Sequence, residues 1–194
     1  KNTNIVKNAI EKLTIQGLEN PEQDARYIIS EVLGIKASGL FLYDKKITWQ
    51  EIKNIRKAIE QRKTLKPLQY IFKKAYFRNL VLEVGPGILI PRPETELLAG
   101  FVIDIAPRVS SVCDIGTGSG AIAIAVASER PDLKVLATDI SPIALKYARK
   151  NAKKYKLQNL NFRKSNLFQN FKTNEKFNLI AAILPYIKSC EFRS

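Results

Sequence analysis

Apolar residues in the first third of the chain recur at helical spacing among charged neighbours. Ile5, Ile10, Leu13 and Ile15 predict a short first helix over residues 4–17, ended by Gly17. Asn20-Pro21 predicts the cap of a second helix, with Gln23 placed for a reciprocal bond, Ala25, Ile28, Ile29 and Val32 as its core stripe, and Gly34 as its stop. Residues 39–43 read as a short helical or turn segment. Thr48-Trp49-Gln50-Glu51 is a capping box that opens a helix to about Lys63, with Ile52, Ile55 and Ile59 inward. Trp49 reads as a packing residue at the seam between helices. Together these segments predict a helical domain over residues 1–69, small enough to lean on its neighbour for stability.

The period then changes. Phe77, Leu80, Leu82 and Val84, with Gly85-Pro86-Gly87, predict a β-hairpin within a linker over residues 70–90. Pro91-Arg92-Pro93 leads into a helix beginning at Glu94 or Thr95. Over residues 91–194 short apolar runs alternate with helical ones. The strands are Val112-Cys113-Asp114-Ile115, the run from Leu133 to Thr138, Leu160-Asn161-Phe162-Arg163, and the run from Phe177 to Ala182. An Ala/Ile-rich helix follows the first. Ser141-Pro142 opens another, whose buried stripe is Leu145, Ala148, Ala152 and Tyr155. This alternation predicts an α/β domain with a parallel sheet and right-handed crossovers.

The candidate chemistry sits between the first strand and its helix, at Gly116-Thr117-Gly118-Ser119-Gly120. Alternate glycines let the backbone turn sharply and approach a ligand closely, and the helix behind them offers N–H groups and a positive dipole end. Asp139, about 20 residues beyond the glycines, ends the second strand, where an acid can grip ribose hydroxyls. These features describe an adenosine-type cofactor pocket. Dinucleotide sites use G-x-G-x-x-G, whereas the spacing here is G-x-G-x-G preceded by Asp114.

That spacing is similar to motif I of the S-adenosylmethionine-dependent methyltransferases. Ile90-Pro91-Arg92-Pro93-Glu94-Thr95-Glu96, Pro67-Leu68-Gln69-Tyr70-Ile71 and the stretch from Phe177 to Ile187 narrow the likeness. In order and spacing the chain resembles the release-factor glutamine methyltransferases, the HemK/PrmC family, from its N-terminal helices to Tyr186. The resemblance implies a Rossmann-like methyltransferase domain over residues 91–194, with a parallel sheet truncated after four strands, joined by the β-hairpin linker to a small helical domain that grips a peptide chain release factor. It further implies that S-adenosyl-L-methionine donates a methyl group to the side-chain amide of the glutamine in the factor's Gly-Gly-Gln loop. Gly116, Thr117, Gly118, Ser119 and Gly120 would line the cofactor, Asp139 would hold the ribose, and Asn166 with Leu167 would flank the adenine. Asn166 replaces the family's aspartate and still offers an accepting oxygen.

The catalytic motif differs more. Where the family reads Asn-Pro-Pro-Tyr, this chain reads Ile183-Leu184-Pro185-Tyr186. The family's asparagine oxygen and the following carbonyl accept hydrogen bonds from the target nitrogen, with the tyrosine ring beside it. Ile183 removes one acceptor, so slow turnover is expected, rising with Ile183→Asn. The rival readings are an adenine amino-methyltransferase acting on DNA or RNA, and a non-catalytic paralogue or fragment that binds the release factor.

Composition bounds the rest. The chain has 194 residues, a net charge of +14 and no histidine, which removes His-based acid–base chemistry and His metal sites. Two cysteines without metal-ligand spacing suit a reducing, cytoplasmic setting, and no metal site is expected. No apolar run reaches the roughly 18 residues needed to span a bilayer. Lys53, Arg56, Lys57, Arg62, Lys63, Lys66, Lys73, Lys74 and Arg78 face only Glu60 in their stretch, and a second basic block follows Ser141. These faces are either plainly solvated or steer the chain toward an acidic partner, a release factor in the proximity of ribosomal RNA. The sheet ends after its fourth strand and no methionine is present, which reads as a fragment, a truncated reading frame, an edited record or a sheet completed from elsewhere; a completed sheet would suit a monomer.

Overall fold

The computed structural model describes residues 2–184, with side chains from Val6 onward. The expected roles of Pro185 and Tyr186, the Ile5 side chain and Cys190 lie outside the described residues. The chain divides into two compact units, Lys1–Lys73 and Lys74–Ser194.

The first unit is helical: α1 (Asn2–Ile15), α2 (Pro21–Leu33), a short 3-10 segment (Ala37–Leu42), α3 (Trp49–Lys63) and α4 (Leu68–Phe72). Its core joins Ala9 and Leu13 of α1, Ala25, Ile28 and Ile29 of α2, and Ile55, Ala58 and Ile59 of α3. The Thr48 hydroxyl accepts the Glu51 N–H at 3.2 Å, and the Thr48 N–H donates to Glu51 Oε2 at 2.7 Å, completing the expected capping box. Gly34 ends α2 in the left-handed region, its N–H on the Ser30 carbonyl. Three expectations are corrected. Asn20 makes no side-chain capping bond, so α2 starts on Pro21 alone. Trp49 is no seam residue. As the first residue of α3 it points away from the Ile55–Ile59 stripe, is 73% exposed, and has the Arg56 guanidinium 5.8 Å from its ring centroid. The basic stretch does not face Glu60 alone. Lys63 takes Glu60, Arg62 Nε donates to Asp24 at 2.7 Å, and in the second unit Arg78 forms a two-point pair with Glu129.

The second unit opens with an antiparallel hairpin, β1 (Lys74–Phe77) and β2 (Leu80–Glu83). Its turn is Arg78-Asn79, not Gly85-Pro86-Gly87, which lies beyond β2. Arg78 holds φ +49°, and its pair with Glu129 fixes the side chain of that strained position. Then come α5 (Pro93–Ile105), β3 (Ser111–Ile115), α6 (Ala121–Glu129), β4 (Lys134–Asp139), α7 (Pro142–Lys154), β5 (Leu160–Lys164) and β6 (Leu179–Ala182). α5 begins at Pro93, a residue or two ahead of expectation, because proline suits the first helical position.

The four strands β3 to β6 form a parallel sheet in the order β5-β4-β3-β6. α6 is buried on every side, from Ala121 through Ala127, and forms the centre of a core shared with the hairpin, α5 and the sheet. Strand register places Ile115 beside Thr138 and Ala182, and Thr138 beside Arg163. The residues following these strands therefore share one edge of the sheet, its carboxyl edge, where open parallel sheets bind ligands. Between β5 and β6 the chain makes turns, tied by a two-point Arg163–Glu175 pair and by the edge-on rings of Phe168, Phe171 and Phe177.

Candidate cofactor site

Gly116, Gly118 and Gly120 hold φ of +76°, +56° and +86°, a region that side chains with a Cβ rarely enter. Their surroundings differ. At Gly116 a Cβ would lie 3.1 Å from Leu184 Cδ2 and 3.2 Å from the Ile183 carbonyl oxygen, so the loop and the fourth-strand motif are in close approach. At Gly118 a Cβ would meet nothing within 4 Å. That face is the open cradle.

Four N–H groups of the loop turn inward. Gly116 and Thr117 both donate to the Thr138 carbonyl at 2.9 Å, and Gly120 donates to the Thr117 carbonyl at 2.8 Å. Gly118 donates to Asp139 Oδ2 at 2.9 Å, while Asp139 Oδ1 accepts the Ser141 N–H at 2.8 Å. Asp139 thus ties the glycine loop to the start of α7. A carboxylate offers about four lone-pair positions, so two remain for a pair of hydroxyls.

Asp114 lies beneath the loop, 2% exposed. Its Oδ2 accepts the Thr117 hydroxyl at 2.7 Å and the Ala123 N–H at 3.2 Å. Gly120 has no side chain to cap α6, and the carboxylate from the preceding strand takes that role. Burial pushes the Asp114 carboxyl from an ordinary 3.8 up to about 6; the two hydrogen bonds oppose the rise and the Asp139 charge adds to it. Between about pH 4 and 6 the folded chain keeps a proton that the unfolded chain has released. The stability contributed by this group is therefore full below about pH 4 and declines as pH rises through 6, by about 2–3 kcal/mol. Asp114→Asn keeps an accepting oxygen and cannot titrate. In urea unfolding, its stability relative to the parent chain is expected to improve by that amount from pH 4 to 7; parallel pH curves would refute the burial of a titrating acid here.

Asn166 and Leu167 follow β5, beside Asp139: the Ser165 N–H donates to the Asp139 carbonyl at 3.0 Å. Leu167 is strained at φ +47° and 47% exposed, held by the Ser165 hydroxyl donating to its carbonyl at 2.7 Å. Ile183 packs partly buried against the core, and Leu184 is largely open. Of the residues singled out in the sequence, the five of the loop, Asp139, Asn166, Leu167, Ile183 and Leu184 thus share the carboxyl edge. Cys113 is fully buried and its thiol, through burial first and the nearby Asp114 second, is pushed up to about 12, so it is no nucleophile near neutral pH.

Sequence reasoning missed Asn151. It is 2% exposed on α7, where a polar residue in a lysine-rich helix reads as surface. Its Oδ1 accepts the Glu83 N–H at 2.7 Å, and its Nδ2 donates to the Glu83 carbonyl at 3.0 Å and to the Ser119 carbonyl at 2.9 Å. One turn along, the Tyr155 hydroxyl accepts the Val81 N–H at 2.7 Å and donates to its carbonyl at 3.1 Å. In the other direction the Tyr147 hydroxyl fills the space a Cβ on Gly85 would need, and Ile143 Cγ2 lies 4.0 Å from the same point on Gly87. Residues four apart on α7 therefore meet residues two apart on the strand and its extension. Four helical residues rise about 6 Å and two extended residues about 6.6 Å, so the periods run together.

Residues 4–72 match the PrmC N-terminal domain, and residues 108–191 match a methyltransferase domain. The chain thus carries both a PrmC N-terminal domain and a methyltransferase domain. A protein of Aliivibrio fischeri named release factor glutamine methyltransferase is 37% identical over 185 residues, 94% of this chain and 65% of that protein. One of the same name from Fusobacterium nucleatum is 36% identical over 198 residues, all of this chain and 56% of its own length. The chain thus spans less than two thirds of the length of these relatives. Among solved structures, the ribosomal protein L11 methylase of Lactobacillus delbrueckii subsp. bulgaricus matches 56% of this chain and 65% of its own, with 28% identity and a TM-score of 0.44. Among the described residues, no helix is long and apolar enough to cross a membrane.

Proposed function

We propose that this chain binds S-adenosylmethionine at the glycine loop and serves methyl transfer to the side-chain amide of a glutamine in a peptide chain release factor. The observation that carries the cofactor reading is the acidic, inward-turned loop. Its N–H groups at 116, 117, 118 and 120 are bonded to Thr138, Asp139 and Thr117, so they form no cradle for a pyrophosphate. Asp114 and Asp139 on either side would repel one. The same set suits a phosphate-free, positively charged nucleoside. Asp139 has lone pairs left for the ribose hydroxyls, Gly118 leaves open space, and Asn166 and Leu167, next to Asp139 in the turn after β5, are the candidates to flank the base.

When bound, the cofactor supplies an electrophilic methyl group on a sulfonium centre. The chain's part is to hold and orient. An amide nitrogen is a weak nucleophile because its lone pair is conjugated, so acceptors that fix its N–H groups carry much of the work. Here the Leu184 carbonyl can accept, while the Ile183 side chain, packed on the core, cannot. The matches to release factor glutamine methyltransferases over most of the chain support the choice of substrate.

Calorimetric titration with S-adenosylhomocysteine is expected to show one site with a Kd in the micromolar range, on the order of −8 kcal/mol. Mass spectrometry of a Gly-Gly-Gln peptide or intact release factor is expected to show slow addition of one methyl. Failure to bind overturns the cofactor reading. Methylation of an adenine-containing oligonucleotide in place of the factor overturns the substrate reading.

A further inference from the structure

Asn151 joins two parts of the second unit that the sequence keeps apart, the end of β2 and the glycine loop. The carbonyl it holds, that of Ser119, belongs to the peptide whose other end is the Gly120 N–H, bonded to Thr117. This peptide is therefore pinned from both sides: one bond closes the loop on itself, the other ties it to α7. The second N–H of the Asn151 amide and its oxygen go to Glu83, to the carbonyl and N–H respectively, in the manner of a neighbouring strand. A buried amide with all three contacts made has a single orientation, and no residue with a different donor–acceptor pattern reproduces it.

We infer that Asn151 is a positioning residue for the cofactor loop, setting the Ser119–Gly120 peptide in the geometry that leaves the Gly118 face open, and coupling that geometry to the docking of the β1–β2 hairpin. The inference rests on the reading of the loop as the cofactor site. Tyr155 supplies the control, since its hydroxyl holds the same strand at Val81 and makes no bond to the loop.

Asn151→Ala is expected to weaken S-adenosylhomocysteine binding about tenfold or more, the effect of losing one buried hydrogen bond that orders the site. Tyr155→Phe is expected to lower the urea midpoint while leaving that affinity within about twofold, because only hairpin docking is disturbed. If both variants bind as the parent does, or both lose affinity alike, Asn151 serves only to dock the hairpin and the inference fails. No binding by the parent chain would instead overturn the cofactor reading. A measurement on the unaltered protein covers the case in which Asn151→Ala does not fold. In hydrogen exchange, saturating S-adenosylhomocysteine is expected to slow the Glu83 amide more than the Val81 amide, since ligand on the loop stabilises the partner of one and not the other. Equal slowing at the two amides overturns the coupling.

Discussion

Ile183→Asn is expected to raise the rate of methyl transfer to a release-factor peptide by about ten- to hundredfold. The physical ground is an acceptor count. Residue 183 follows β6 directly, and its carbonyl against Gly116 puts its backbone at the lip of the glycine loop. Isoleucine there offers only carbon, and the target amide must be oriented by the Leu184 carbonyl without a second acceptor beside it. Asparagine restores the second acceptor. Because the change acts on orientation at the reacting nitrogen, the gain should appear in kcat under saturating cofactor, with the affinity for S-adenosylhomocysteine unchanged. Ile183 also packs against the core, so the variant should unfold at slightly lower urea. A variant that binds cofactor normally yet transfers no faster would show that the limit lies elsewhere.

Gly120→Ala is expected to destabilise the second unit by about 2–4 kcal/mol, combining a left-handed backbone with overpacking. At φ +86° the added Cβ would fall 2.8 Å from Ile124 Cδ1, 3.2 Å from Ala148 Cβ and 3.3 Å from Ala148 Cα. The last two cannot swing aside, since they belong to α7 where it crosses α6. Gly118→Ala provides the contrast. Its φ of +56° carries backbone strain of about 1 kcal/mol, but the new methyl meets only open space. Its larger effect is expected on nucleoside affinity, where the methyl enters the cradle. Urea midpoints and calorimetry on the pair should therefore separate, one variant losing stability and the other losing binding. Equal stability losses would mean that the close helix crossing at Gly120 is not what requires glycine.

What could be read from the sequence and what could not divide along a physical line. The capping box at Thr48, the three-glycine turn and Asp139 at the end of β4 are local patterns, set by residues within one turn or by a fixed strand length, and the structure places them as expected. The pairs Arg62–Asp24 and Arg78–Glu129 lie 38 and 51 residues apart in sequence, and no local pattern marks them. Gly85-Pro86-Gly87 carries the stronger turn signal in the sequence, yet the strand pairing of Phe77 with Leu80 puts the reversal at Arg78-Asn79. No local pattern marks Asn151, because its burial comes from what covers α7, not from the helix itself. The inward direction of the loop N–H groups was equally hidden, since it depends on the Thr138 carbonyl of a neighbouring strand.

The matched spacing of α7 against Val81, Glu83, Gly85 and Gly87 carries a consequence for variation in length. A single inserted or deleted residue between positions 81 and 87 would turn each inward group to the opposite face and push a bulky side chain toward Tyr147. Sequence drift along this ribbon is therefore constrained in count before it is constrained in kind, and length changes in the region should accumulate before Val81 or after Gly87 rather than between those points.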